Sequence, residues 1–311
     1  MKRSTAWGNL LLGVVTLSAP GCSVAEEDID FDLTVKKPAY TEDHPKVLFD
    51  EAHGNHTGYK PFIELVTNDG YVVTPNRQQF RGETLSDFEI LVIAHPGRSP
   101  PKFPVFAEDE CDAILKWVSS GGALLLITDL GPTSAATEEV SKLFGVEISK
   151  STCVEDRDPA NHEVPIFSNN LPPPFNFDRE WLVFSRDNGL LKDHPITRGR
   201  YKEERISRVV TFGGESLKAA DDSHAFLVLS PTAVDLFPDN VKQSAAGRAG
   251  GIAMSWDTGC LVVLGEAAML TAQLFPESVP LRDRRKGMNR PGNDNKQLTL
   301  NIMHWLSGLL R

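Results

Sequence analysis

The sequence holds no G-x-x-x-x-G-K-[ST] loop, no H-E-x-x-H pair and no apolar run of the ~20 residues that a permanent membrane-spanning helix requires. Each absence closes a class. Without a triphosphate-binding loop, the letters D-E-A-H at residues 50–53 do not make a nucleic-acid helicase. Positive charge is also short: 32 Lys and Arg face 42 Asp and Glu, for a net charge of −10. A general nucleic-acid binder needs a basic footprint for phosphates, so nucleic acid is not expected as a partner. Cysteine is scarce, with Cys22, Cys111, Cys153 and Cys260 in 311 residues. The bulk is ordinary for a globular protein, 41% hydrophobic and 24% charged, with length enough for one large domain or two small ones.

The first 22 residues read as a targeting segment. Lys2 and Arg3 precede the apolar stretch LLLGVVTLSA (10–19), and SAPGC ends with Gly21 before Cys22. This resembles a bacterial lipoprotein signal, in which Cys22 would be lipidated and become the mature N-terminus. Ala19 stands where leucine is usual, which leaves simple secretion or a retained anchor as the alternative. Residues 23–44 then read as an acidic, solvated tether. If Cys22 carries lipid, an odd number of cysteines remains. Cys111 falls in a predicted helix and Cys260 opens an apolar strand, as small buried side chains do. No disulfide pairing follows from the sequence.

From residue 45 the chain alternates apolar strands with amphipathic helices. Strands are expected at 46–52, 71–75, 88–97 and 123–129, and helices at 58–70, 107–122 and 137–145. The helix at 107–122 has acidic residues in its first turn and a double-glycine stop. Strands this apolar, separated by helices, predict an α/β fold: a flavodoxin-like, doubly wound, mostly parallel sheet with helices on both faces. Residues 154–178 read as a surface excursion. Further strands follow at 208–217, 225–231 and 251–270, the last a hairpin turning at Asp-Thr-Gly. A closing helix over 296–310 is expected to bury Leu298, Ile302, Trp305, Leu306 and Leu309. No second domain boundary is evident, so 45–311 is expected to be one domain.

DEAHGN after the first strand, WVSSGGALLLITD, HPITRG, GCLVVLGEAAML and DNKQLTLNIMHWL occur in an order that resembles a family. It is the class I glutamine amidotransferase-like domains of unknown function of bacterial envelope proteins. Gliding-motility proteins, ABC-transport auxiliary proteins and an intraflagellar-transport subunit carry relatives. The resemblance covers roughly 45–311. In the parent enzymes a cysteine in a G-x-C-x-G turn attacks an amide, served by a distant His-x-Glu. Asp129 stands at the thiol's place here, and Phe275 replaces the histidine in FPE (275–277). A carboxylate does not take over that thiol chemistry, so amidotransferase activity is not expected.

In a doubly wound sheet, ligands bind outside the carboxyl ends of the strands. That edge is expected to collect Asp50, Glu51, His53 and Asn55, then His95, Asp129 and Glu266. Three readings compete. Strand-end polar residues often cap helices or hold turns, and Gly54 and Asn55 suit a turn. The set can instead bind a ligand or a divalent metal without catalysis, although no closely spaced His or Cys pair supports a metal and no other cofactor is expected. Or one carboxylate serves as a general base. The expected function is a non-catalytic binding or scaffolding module of the bacterial cell envelope, exported and lipid-anchored, meeting a glycan, peptide or protein partner. The rival is a hydrolase of a carbohydrate or amide using Asp50, Glu51 or Asp129.

Overall fold

The apolar runs become the central strands of a computed structural model that describes residues 25–54, 58–97, 104–129, 134–156, 181–237, 241–277 and 283–311. Cys22, Asn55 and most of the expected surface excursion lie outside the described residues. After a short β1 (Glu26–Glu27), the chain runs through β2 (Lys46–Asp50), α1 (Lys60–Asn68), β3 (Val72–Asn76), α2 (Gly82–Leu85), β4 (Ile90–Ala94), α3 (Glu108–Ser119) and β5 (Ala123–Ile127). Next come α4 (Ser134–Ser141), β6 (Glu147–Ile148), β7 (Thr152–Glu155), β8 (Leu182–Ser185) and α5 (Pro195–Arg198). Short strands then dominate: β9 (Arg208–Thr211), β10 (Leu217–Lys218), β11 (Ala225–Val228), β12 (Ala233–Leu236) and β13 (Lys242–Ser244). The hairpin β14 (Ala249–Trp256) and β15 (Gly259–Leu264) leads to β16 (Ala272–Leu274), β17 (Arg285–Gly287) and α6 (Asn295–Leu306).

The main sheet is ordered β3-β2-β4-β5-β15-β14-β10-β6, with β11 also on β14. The strands from β3 to β15 are mutually parallel. Beyond β15 every pairing is antiparallel. The fold is therefore α/β with a mixed sheet, and the mostly parallel sheet expected from the alternation gives way at β15. The cause is local. Trp256 pairs with Gly259, leaving Asp257 and Thr258 as a two-residue turn. A turn that short returns the chain at once, whereas parallel neighbours need a crossover of about a dozen residues. Asp257 takes the left-handed conformation (φ 47°) that such a turn demands.

Strand alternation builds two cores. On one face Val47, Phe49, Val92 and Leu125 meet Phe62 and Val66 of α1 and Leu298, Ile302 and Trp305 of α6. On the other, Leu48, Leu91, Leu124 and Val263 meet Ile114 and Val118 of α3 and Val140 of α4. Each fully buried aliphatic or aromatic side chain contributes roughly 1.5–3 kcal/mol, so both faces must be covered. Leu309 does not join them. The helix stops at Leu306, Gly308 turns the chain at φ 86°, and Leu309 is left 40% exposed. The acidic segment read as a solvated tether also differs from expectation. Glu26 and Glu27 pair with β16, and Leu33 packs with Leu65, Met288 and Leu300. Lys296 Nζ donates to the Asp32 and Thr34 carbonyls at 2.6 and 3.1 Å. A few apolar residues and two strand bonds suffice to dock it.

The α3–β5 junction tolerates no side chain where it meets the hairpin. A Cβ on Gly259 would stand 2.1 Å from the Val118 carbonyl oxygen and 2.3 Å from that of Gly122. Both are backbone and cannot swing away. Gly259→Ala is expected to cost about 2–4 kcal/mol in urea unfolding, through overpacking. An unchanged midpoint would contradict this packing.

Candidate functional site

Asp50 ends β2, and the chain turns at once so that Ala52 N–H donates to Asp50 Oδ1 at 3.1 Å. The turn brings His53 back onto the same carboxylate, its Nδ1 3.0 and 3.1 Å from the two oxygens. Asn76 at the end of β3 also donates to Asp50, at 3.3 Å. The far ring nitrogen, Nε2, lies 3.0 Å from Glu110 Oε1 on the first turn of α3. Glu110 also accepts Phe80 N–H at 2.9 Å and, as the third residue of its helix, Ala107 N–H at 3.0 Å. Phe80 and Phe106 flank the imidazole, with centroids 4.9 and 4.5 Å away. Burial disfavours a charged ring, yet Asp50 and Glu110 outweigh it and hold the His53 pKa above its ordinary value. Asp50–His53–Glu110 is thus a buried ionic staple between β2 and α3.

The other candidates from this stretch go elsewhere. Glu51 is exposed and pairs with Arg77 at 3.1 Å across the surface. Asn55 lies outside the described residues. His95 follows β4 at φ 50°, and its N–H donates to the Ile127 carbonyl at 2.8 Å, so it steers the chain as β4 ends.

A second group gathers at the ends of β5 and β15. Asp129, half-buried, acts electrostatically on Tyr59, Glu215 and Glu266. Glu266 follows β15 and caps the next turn, accepting Ala268 N–H at 2.8 Å and Met269 N–H at 2.7 Å. Burial and Asp129 push its carboxyl up to about 8, against the pull of Lys286 and the two amides. Glu215 was not among the expected residues. Gly213 and Gly214, both at positive φ, thread its backbone against β15, where Glu215 N–H donates to the Gly265 carbonyl at 2.7 Å. A Cβ on Gly214 would stand 2.4 Å from that same oxygen. Thr128 Oγ1 donates to Glu215 Oε2 at 2.6 Å, while Oε1 is buried without a hydrogen-bond partner. Burial raises Glu215 to about 8, the Thr128 and Ser134 bonds opposing it and Asp129 and Asp235 adding to it. Tyr59, just before α1, was likewise not expected. Its ring packs on Phe49 and Phe62, and its hydroxyl is buried with no partner. Burial, then Asp129 and Glu266, hold that phenol well above its ordinary pKa.

Chemically, the edge offers the Asp129 carboxyl, two carboxyls raised to about 8 and a phenol. Asp129, not a cysteine, follows β5. Cys111 and Cys260 are free and raised by burial to about 11, and Cys153, whose N–H donates to the Gly214 carbonyl at 2.8 Å, is free and raised well above its ordinary value by burial and Asp235. Among the described residues no three His, Cys, Asp or Glu side chains converge on a metal position. Among them, too, no helix is long and apolar enough to cross a membrane.

No family model matches the sequence, and no curated protein sequence does. Solved structures do match. The mmIFT52 N-terminal domain aligns at TM-score 0.55 and 14% identity, over 84% of this chain and 96% of that one. Putative ThuA-like proteins from Bacteroides uniformis and Parabacteroides merdae align at TM-score 0.42, with 14% and 10% identity. They span 86% and 85% of this chain and 94% and 91% of their own. At such identities the likeness is one of fold, and the mmIFT52 domain carries it.

The staple generates a test. His53→Ala leaves Asp50 and Glu110 buried with no cation between them, a situation that costs about 3–5 kcal/mol. Because the His53 pKa is raised, its contribution is full below its ordinary value of 6.5 and fades as pH rises through the raised one. The gap between wild type and His53→Ala in denaturant unfolding should therefore be widest at mildly acidic pH and narrow in alkali. A gap that widens with pH would contradict the ionic staple.

Proposed function

We propose that this chain is a non-catalytic binding or scaffolding module of the bacterial cell envelope, exported and tethered by lipid on Cys22. It meets a glycan, peptide or protein partner at the carboxyl edge of its parallel strands. We further propose that it is a flavodoxin-like member of the class I amidotransferase-like domains. The order β3-β2-β4-β5-β15, which is 2-1-3-4-5 along the chain, supports that placement, as does the fold likeness to the mmIFT52 domain.

One observation carries the binding reading: the Tyr59 hydroxyl is buried without a hydrogen-bond partner and feels the charges of Asp129 and Glu266, which follow β5 and β15. Leaving such a group unmet costs about 1–3 kcal/mol, which a ligand's hydrogen bond would recover. The lack of a thiol at Asp129 and the engagement of Asp50 by Ala52, His53 and Asn76 favour binding over catalysis. The hydrolase reading draws on a single feature, Glu215 held near neutrality beside Asp129, the pattern of an acid with a base.

A thermal-shift screen of soluble glycan fragments, short peptides and small polar compounds tests both readings, since whatever binds only the folded chain raises its Tm. At least one class should raise Tm in wild type and in the surface variant Glu51→Ala, and fail to do so in Asp129→Asn. If no class raises Tm, or if Asp129→Asn responds like wild type, the edge is not a binding site. Turnover of the bound compound that vanishes in Glu215→Gln would establish the hydrolase instead.

A further inference from the structure

We propose that the cavity shared by His194 and Asp222 is a further binding site, for a neutral polyol the size of one sugar ring. It involves none of the residues placed at the carboxyl edge and does not rest on the reading above. Residues 192–194 line it together with Asp222, Ser223, Ala225 and Val228. Its volume is about 270 Å³, a little under the roughly 300 Å³ where sites for drug-sized ligands begin. Backbone pairing holds the two segments together. Lys192 N–H donates to the Phe226 carbonyl and Val228 N–H to the Leu190 carbonyl, both at 2.9 Å. Asp221 accepts Ser223 N–H at 2.9 Å and so sets the turn that carries Asp222.

The imidazole selects the ligand class. Pro195 opens α5, and His194 Nδ1 caps it by accepting Ile196 N–H at 3.2 Å. That bond needs a lone pair on Nδ1, so the ring's proton sits on Nε2. Burial, then Arg198, holds the His194 pKa down at about 4, which keeps the ring neutral. Phe226 and Trp305 fix its plane, with centroids 5.9 and 5.8 Å away. Nε2 meets no hydrogen-bond partner among the described residues and is not sealed in the interior. It therefore presents a donor to the cavity, and a metal ion would need the lone pair that this proton occupies. Net charge does not select either. Arg198 answers Asp193 at 2.7 Å, and Lys192, its Nζ on the Gly189 carbonyl at 2.9 Å, offsets Asp222. A hydroxyl group suits the set, because it accepts from Nε2–H and donates to the Asp222 carboxylate. Half-buried Ala225 and Val228 can meet the C–H groups of the same ring.

Nitrogen-15 NMR of the His194 ring in the full chain tests this. The probes are D-glucose, D-galactose, D-mannose and N-acetylglucosamine, with inorganic phosphate and Zn²⁺ as charged controls, each raised into the millimolar range. The free protein should show the neutral tautomer protonated on Nε2. At least one sugar should shift that signal saturably. Asp222→Ala, a change at an exposed side chain, should weaken that sugar about tenfold with Tm unchanged, through loss of a charged acceptor. Folded Asp129→Asn should bind it like wild type, which separates this site from the carboxyl edge. A ring protonated on Nδ1, no saturable shift with any sugar, or a response to Zn²⁺ or phosphate in place of sugar overturns the proposal. So does a sugar response that survives Asp222→Ala. One that is lost in Asp129→Asn also overturns it and assigns the sugar to the edge.

Discussion

The imidazole of His53, gripped between two carboxylates, is the contact through which the carboxyl end of β2 is joined to the start of α3. Asp50 is wholly buried and Glu110 nearly so, and each would be untenable there without a cation and hydrogen-bond donors. The ring supplies the first. Ala52, Asn76, Phe80 and Ala107 supply the second. Phe80 and Phe106 keep water out, which strengthens the charges they enclose. Such a triad is a weak source of net stability, since apolar residues of equal volume often do as well. What it provides is geometry: it fixes the turn after β2 against the helix that follows β4.

That use of Asp50 and His53 reshapes the edge. The polar stretch that looks most catalytic in the sequence is spent on architecture. Buried polar atoms without a hydrogen-bond partner occur instead at Tyr59, just before α1, and at Glu215. The two groups reflect opposite solutions to one problem. At His53 the chain supplies a carboxylate partner to each ring nitrogen. At Glu215 and Glu266 burial and neighbouring carboxylates raise the carboxyls to about 8, a pattern more typical of sites than of scaffolds.

Much of this was legible in the sequence. Continuous apolar runs gave β2, β4 and β5, the Asp-Thr-Gly turn gave the β14–β15 hairpin, and the double glycine gave the end of α3. Asp50, His53, Asp129 and Glu266 were placed at strand ends, and they are there. Their partners were not legible. Glu110 reads as one of three acids favouring a helix start, and nothing local ties it to a histidine 57 residues away. Tyr59 looks like one more core aromatic. Glu215 hides behind two glycines whose role, a close approach to Gly265, exists only in three dimensions. The antiparallel half of the sheet escaped for a related reason. Strands such as β6 and β10, two residues each, carry no period to read.

The account turns on His53 being a cation held by both carboxylates, and nitrogen-15 NMR of the histidine rings in the folded chain tests that most directly. It predicts both His53 nitrogens protonated near neutral pH, with a midpoint above the ordinary 6.5. A single neutral tautomer there, titrating at or below 6.5, would contradict it.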